Sequence, residues 1–175
     1  NEKLSGEISI GQQNKAKDGY DRFDYHQPHT LDGTGGGIYF YRPQWNENFP
    51  LFASDMRGTE NAAQSWDFTV SANGSQKIVL SSEAVNNIGD HLELYLLDQT
   101  NGRYQNLKEK STYPIPAGNQ KTQLKIILGT QAEIQNEIRK IVPRNFALKA
   151  NYPNPFNPQT TIPLQLAAET QIELS

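Results

Sequence analysis

The chain has 175 residues, 35% of them apolar and 20% charged, with 16 basic against 19 acidic side chains and no cysteine. That length holds one medium domain plus an appendage, and 7 Phe with 8 Tyr supply enough bulk for a core, which excludes wholesale disorder. Disulfides, thiolate metal sites and cysteine nucleophiles are excluded; a net charge of −3 without any basic stripe weighs against nucleic acid as a partner, and no apolar run approaches the roughly twenty residues that span a bilayer.

The modest apolar share suits a half-solvated antiparallel sheet with generous loops better than a helical bundle or a parallel α/β fold. Asn1 stands where Met is usual and no leader-like segment precedes the first strand signal, so the expectation is a fragment or a processed product.

In chain order, the alternation Glu7-Ile8-Ser9-Ile10-Gly11 predicts a first strand. Lys17 to His29 is a polar loop studded with aromatics, and Leu31 to Gly37 is a glycine-rich turn before strand character resumes at Ile38-Tyr39-Phe40-Tyr41. Pro43 to Pro50 is a second loop, carrying Trp45, and Leu51 to Arg57 reads as one short strand. Trp66-Asp67-Phe68-Thr69-Val70 alternates strictly, with Trp66, Phe68 and Val70 on one face. Asn73-Gly74 is a strong hairpin signal and makes Lys77 to Leu80 the return strand. Leu92 to Leu97 predicts a long strand, Asn101-Gly102 a turn, and Leu124 to Leu128 the closing strand.

About eight short strands separated by Gly, Asn, Pro and Ser turns define an all-β class, and the expected architecture over residues 1–130 is an antiparallel β-sandwich, jelly-roll-like. Residues 131–143 form a connection. Ile134, Ile138 and Ile141 fall at helical spacing, so a short amphipathic helix and an extended linker both remain open. In either form the isoleucines need a surface to cover.

Residues 144–175 carry the least ordinary stretch, Asn151-Tyr152-Pro153-Asn154-Pro155-Phe156-Asn157-Pro158, followed by Gln159, Thr160, Thr161 and Ile162. Each proline fixes its own φ and pushes the residue before it toward extended geometry, so the block is stiff and cannot be helix or central strand. Tyr152 and Phe156 can pin it to a neighbouring core. With the lead Phe146-Ala147-Leu148-Lys149-Ala150 and the strand Thr161 to Leu166, the block resembles the opening of the C-terminal sorting domain on proteins exported by the bacterial type IX secretion system. The resemblance implies an immunoglobulin-like sorting segment, incomplete at Ser175, that is read by the type IX machinery. It implies a secreted or outer-surface location and assigns no activity. Tyr20-Asp21-Arg22-Phe23-Asp24, Asp55-Met56-Arg57 and Trp66-x-Phe68-x-Val70 are similar to features of the β-sandwich modules that precede such domains.

Candidate chemistry is sparse. Asp18, Asp21 and Asp24 recur every three residues in an oxygen-rich loop of the kind that binds Ca²⁺, without the spacing or closing Glu of an EF-hand. The competing reading makes Asp21 and Asp24 turn caps that pair with Arg57 or Arg22, and Arg57 suits it because its planar fork can hold a carboxylate bidentately. His26 and His29 lack a fixed third ligand. The glycine run at residues 33–37 lacks the Lys-Ser/Thr ending of a phosphate loop and precedes a strand. Tyr39, Tyr41 and Trp45 are the candidate sugar-stacking aromatics, with Trp45 expected to be the exposed one. No nucleophile elbow or marked triad occurs, so no catalytic residue is assigned.

The leading expectation is therefore a non-catalytic spacer or interaction module with a sorting signal. A carbohydrate-binding module of a polysaccharide-degrading enzyme is the first alternative. An extracellular filament or surface-layer subunit, donating its tail strand to a neighbour, is the second.

Overall fold

The structure is a computed structural model that describes residues 6–27, 37–71, 78–82, 88–115, 121–142, 147–148 and 164–165. The chain is mostly β, with antiparallel sheets. Its frame is a six-stranded sheet in which β2 (Gly37–Tyr41), β3 (Leu51–Phe52), β5 (Gln64–Ser71), β7 (Glu93–Asp98), β8 (Arg103–Asn106) and β10 (Lys121–Gly129) lie in the order β3-β2-β5-β10-β7-β8. The two longest strands, β5 and β10, pair antiparallel at its centre, with Phe68 opposite Leu124 and Trp66 opposite Ile126.

Alternation along these strands sorts the side chains onto two faces. Phe40, Trp66, Phe68, Val70, Leu96, Leu124 and Leu128 are buried together on one. Leu97 and Ile127, one residue out of step with Leu96 and Leu128, are buried in a separate cluster. The face assigned to Trp66, Phe68 and Val70 from sequence is thus the core face.

Two short pairs supply the other side of the main core. β6 (Ile78–Ser81) runs antiparallel to β9 (Thr112–Ile115), and β1 (Ser9–Gln12) runs parallel to β4 (Ser54–Arg57). Tyr113 and Ile115 are buried with the sheet residues, and Ile8, Ile10, Ile78 and Leu80 pack against them.

Two expectations are corrected here. The single strand Leu51 to Arg57 is two strands with a break at Ala53: β3 extends the large sheet on β2, whereas β4 leaves it to pair with β1. The return strand after Asn73-Gly74 does not fold back on β5, because β2 and β10 occupy both edges of β5 and β6 pairs with β9 instead. Asn73-Gly74 is a local signal that lies outside the described residues. The apolar alternation of β5 finds its match in β10, and that long-range pairing prevails over local turn preference. The second turn holds as expected. β7 and β8 pair up to Asp98 opposite Arg103, and Gly102 sits at φ 66 in the left-handed region that glycine reaches at no steric cost.

Residues 131–142 resolve the open alternative in favour of a helix. α1 (Gln131–Ile141) begins at Thr130, whose hydroxyl accepts from the Glu133 N–H while the Glu133 carboxylate accepts from the Thr130 N–H, a reciprocal capping box. Those bonds from Thr130, main chain first and hydroxyl second, hold the Glu133 carboxyl below its usual range. Ile134 and Ile138 are buried against Leu97 and Ile127, with Tyr95, Ile141 and Val142 packed around them. Lys125 of β10 ties the helix to the sheet through Glu137 at 3.4 Å and Asp67 at 3.6 Å. Farther along, β11 (Ala147–Leu148) pairs antiparallel with β12 (Leu164–Gln165). The proline–asparagine block from Asn151 to Ile162 lies outside the described residues.

Candidate functional site

The loop between β1 and β2 carries the aspartates singled out for metal or ion-pair roles, and it folds around their carboxylates. Asp21 accepts from the N–H groups of Lys17 and Phe23, both at 2.8 Å. Asp24 accepts from the N–H of Asp21 at 2.8 Å and, across the structure, from the N–H of Met56 at 2.9 Å. Short polar side chains bond readily to nearby main-chain groups, and here that local bonding shapes the loop. Burial pushes the Asp24 carboxyl up, opposed by the two N–H groups that favour its charged form.

The expected pairing of Asp21 or Asp24 with Arg57 is not formed. Arg57 instead reaches Asp55 on its own strand, Nε to Oδ1 at 3.0 Å and Nη2 to Oδ2 at 3.3 Å. Residues two apart on a strand share a face, so the guanidinium meets Asp55 before either loop carboxylate. Asp18 is exposed, and among the described residues no group of three or more His, Asp and Glu side chains is arranged to hold a metal ion. Arg22 lies over the Phe23 ring at 4.8 Å.

Asp55 is the hub of a clamp. Only 1% exposed, its carboxylate also accepts from Arg42 Nη2 at 2.8 Å and Nε at 3.2 Å, and its main-chain carbonyl accepts from the Trp66 indole N–H at 2.9 Å. The two guanidiniums in turn lie over aromatic rings, Arg57 over Trp66 at 5.2 Å and Arg42 over Phe40 at 5.3 Å and Trp45 at 5.6 Å.

Trp45 links this clamp to an aromatic surface. Phe52, fully buried, forms its floor. Trp45 meets Phe52 edge-on at 5.1 Å, Tyr20 does so at 5.5 Å, and His26 stacks on it at 4.3 Å. Tyr20 stacks with Trp45 at 6.1 Å, and Phe49 meets the His26 ring at 6.4 Å. Tyr20 is 48% and Phe49 53% exposed. An Asx turn, in which Asn46 Oδ1 accepts from the N–H groups of Asn48 and Phe49, presents the Phe49 ring. The β1–β2 and β2–β3 loops meet because His26 bridges to Phe52 and the Gln27 N–H donates to the Leu51 carbonyl at 2.9 Å.

The surface only partly matches the aromatics named from sequence. Trp45 belongs to it but is half-buried, not the exposed ring expected. Tyr39 and Tyr41 do not belong to it. Phe40 lies in the core opposite Phe52, so alternation sends its two neighbours to the other face of β2. Tyr20, His26 and Phe49 take their place. Their sequence signal is the clustering of aromatics in two separate loops, legible only once pairing brings those loops together. His29 lies outside the described residues.

A second feature is an open cleft of about 740 Å³ beside α1, lined by Arg57, Gln64, Ile127, Glu133, Glu137 and Lys140 among others. Its charges are mixed, and those of Arg57, Glu133 and Glu137 are met by Asp55, Thr130 and Lys125 outside the lining and by Lys140 within it. Comparison with protein-family models, curated proteins and solved structures gives no match to this chain.

Proposed function

We propose that the chain is a non-catalytic spacer or interaction module of a secreted or cell-surface bacterial protein, delivered by the type IX secretion machinery. The observation that carries this reading is the unbroken block Asn151-Tyr152-Pro153-Asn154-Pro155-Phe156-Asn157-Pro158, followed by Thr161-Ile162 and a strand. A composition of three prolines, three asparagines and two aromatic rings is far more restrictive than that of a Pro-rich linker. The antiparallel pairing of Ala147–Leu148 with Leu164–Gln165 on either side of the block is what an immunoglobulin-like sorting segment needs.

In this reading the large sheet and the two short pairs are the layers of a jelly-roll-like sandwich. The buried carboxylates in its interior are spoken for: Asp55 by two arginines, Asp24 by two main-chain N–H groups, and Asp98 by Tyr113 and Asn101. Carboxylates committed in this way support a structural role and favour a module without its own reaction.

The test is export from a host with a working type IX translocon. Deleting residues 151–162 from the protein is expected to leave it in the periplasm, while the unaltered protein reaches the surface or the medium. Equal export with and without the block, or export that persists after the translocon is disabled, contradicts the proposal.

A further inference from the structure

We infer that the aromatic surface formed by Tyr20, His26, Trp45 and Phe49 is a binding site for a neutral polysaccharide, taken along the C–H faces of its pyranose rings. The first support is chemical. Of the seven large apolar side chains exposed among the described residues, five are aromatic, and the two aliphatic ones, Val79 and Leu164, belong to other parts of the fold. A surface meant for another protein usually mixes aliphatic anchors with its aromatics. Among the described residues, the large exposed apolar side chains around Trp45 are aromatic alone. The negative face of an aromatic ring attracts polarised C–H groups, and a Tyr or Trp ring is flat, amphipathic and able to stay wet at one end. Those are the properties that a sugar ring with one apolar face selects.

The second support is preorganisation. Phe52 fixes Tyr20, His26 and Trp45 from below, Arg42 overlies Trp45, and Asn46 sets the turn that presents Phe49. Arg42 itself cannot wander, because Asp55 holds it at 2.8 Å. Little side-chain freedom is left to lose when a ligand arrives, which favours affinity for a ligand offering few contacts per ring.

The third support is charge. The loops that carry the surface hold Lys15, Lys17, Arg22 and Arg42 against Asp18, Asp21, Asp24, Asp32 and Glu47 in sequence. Arg42 is neutralised by Asp55, and Asp21 and Asp24 are turned inward onto main-chain N–H groups. No concentrated field of either sign remains. A single-stranded nucleic acid stacks on aromatics too, but it needs a cationic groove for its phosphates, and an anionic membrane surface needs a basic patch. A neutral glycan needs neither. Asp18, Glu47 and Asn48, exposed in the same two loops, offer hydroxyl-bonding groups for such a chain.

The test uses the full 175-residue chain and affinity electrophoresis through gels containing, separately, β-glucan, xylan, glucomannan and starch, with pull-down on cellulose. Retardation or capture by at least one is expected. Tyr20→Ala and Phe49→Ala, both on exposed rings, should each weaken it by about ten-fold, with Trp45→Ala weakening it more. Tyr104→Ala, on an exposed ring of β8, should leave it unchanged, and near-ultraviolet circular dichroism should show all four variants folded. Tyr20→Ala and Phe49→Ala keep the result readable if Trp45→Ala unfolds. The inference is overturned if no polysaccharide retards the chain, or if the Tyr20 and Phe49 variants bind as well as the parent. It is also overturned if the surface instead captures single-stranded DNA, anionic vesicles or a second copy of the chain by sizing chromatography. Since export is read separately, failure here leaves the delivery proposal standing.

Discussion

Asp98 of β7 and Tyr113 of β9 meet at a polar point inside the core. The Tyr113 hydroxyl donates to Asp98 Oδ2 at 2.8 Å, and Asp98, with no exposed surface, also accepts from the Asn101 N–H at 2.9 Å and its Nδ2 at 2.8 Å. Burial first, then the bond to Asp98 and its charge, hold the Tyr113 hydroxyl pKa well above its ordinary value of 10.0. The raised value fixes the sign of the pH dependence: the folded protein keeps this proton where the unfolded chain gives it up. Its contribution is therefore full below about pH 10 and is lost as pH rises beyond that. Tyr113→Phe should cost about 1–3 kcal/mol near neutrality, because Asp98 loses a buried donor. Urea unfolding followed by tryptophan fluorescence from pH 7 to about pH 11 should also show a shallower alkaline decline in the variant. An equal decline in both proteins would contradict the assignment. A comparable reading of Asp55 was within reach of the sequence: in Asp55-Met56-Arg57 the two charges stand two apart in a strand and so share a face. What sequence could not supply was Arg42, thirteen residues away, which the fold brings to the same carboxylate.

Legibility at the scale of elements follows from how local each signal is. The alternation of Trp66, Phe68 and Val70 predicted both a strand and its core face, because a period-two pattern is contained in the strand itself. The partner of that strand was not contained in it. Asn73-Gly74 advertised a hairpin, and β10 outcompeted it from fifty or more residues away in sequence, with Leu128 opposite Gln64 and Lys121 opposite Ser71. The aromatic surface was only partly legible for the same reason: Trp45 stood out in its loop, whereas Tyr20 joined it only through the strand pairing. α1 shows the opposite case, a local signal that left two conformations open until packing decided between them. Its start is the Thr130–Glu133 box, with the hydroxyl and carboxylate also 2.8 Å apart. Thr130→Ala removes that cap and should lower stability by about 1 kcal/mol, whereas Thr130→Ser should cost only a few tenths. Midpoints of urea unfolding for the two variants decide this, and indistinguishable values would mean that tertiary packing alone starts the helix.

For the molecule as a whole, the boundary of the folding unit falls after α1 rather than before it. The strands at the centre of the large sheet bury residues on both faces: Trp66, Phe68, Leu96 and Leu124 against the short pairs, and Leu97 and Ile127 against the helix. A sheet with one face bare would hold Leu97 and Ile127 against water, with Lys125 parted from Glu137. Truncating a single buried Ile to Ala costs about 2–5 kcal/mol, and the whole stability of a domain is only about 5–15 kcal/mol. Losing Ile134 and Ile138 together thus removes a large fraction of it. A chain ending at Val142 should keep a single cooperative urea transition close to that of the full chain. One ending at Thr130 should unfold at markedly lower urea and bind a hydrophobic dye before the transition, because the apolar patch on β7 and β10 is then open to solvent. Equal midpoints for the two truncations would make α1 a passive connector and return the boundary to residue 130. A lower midpoint for the shorter chain alone makes the helix the second wall of the sheet, and sets the end of the folding unit after α1.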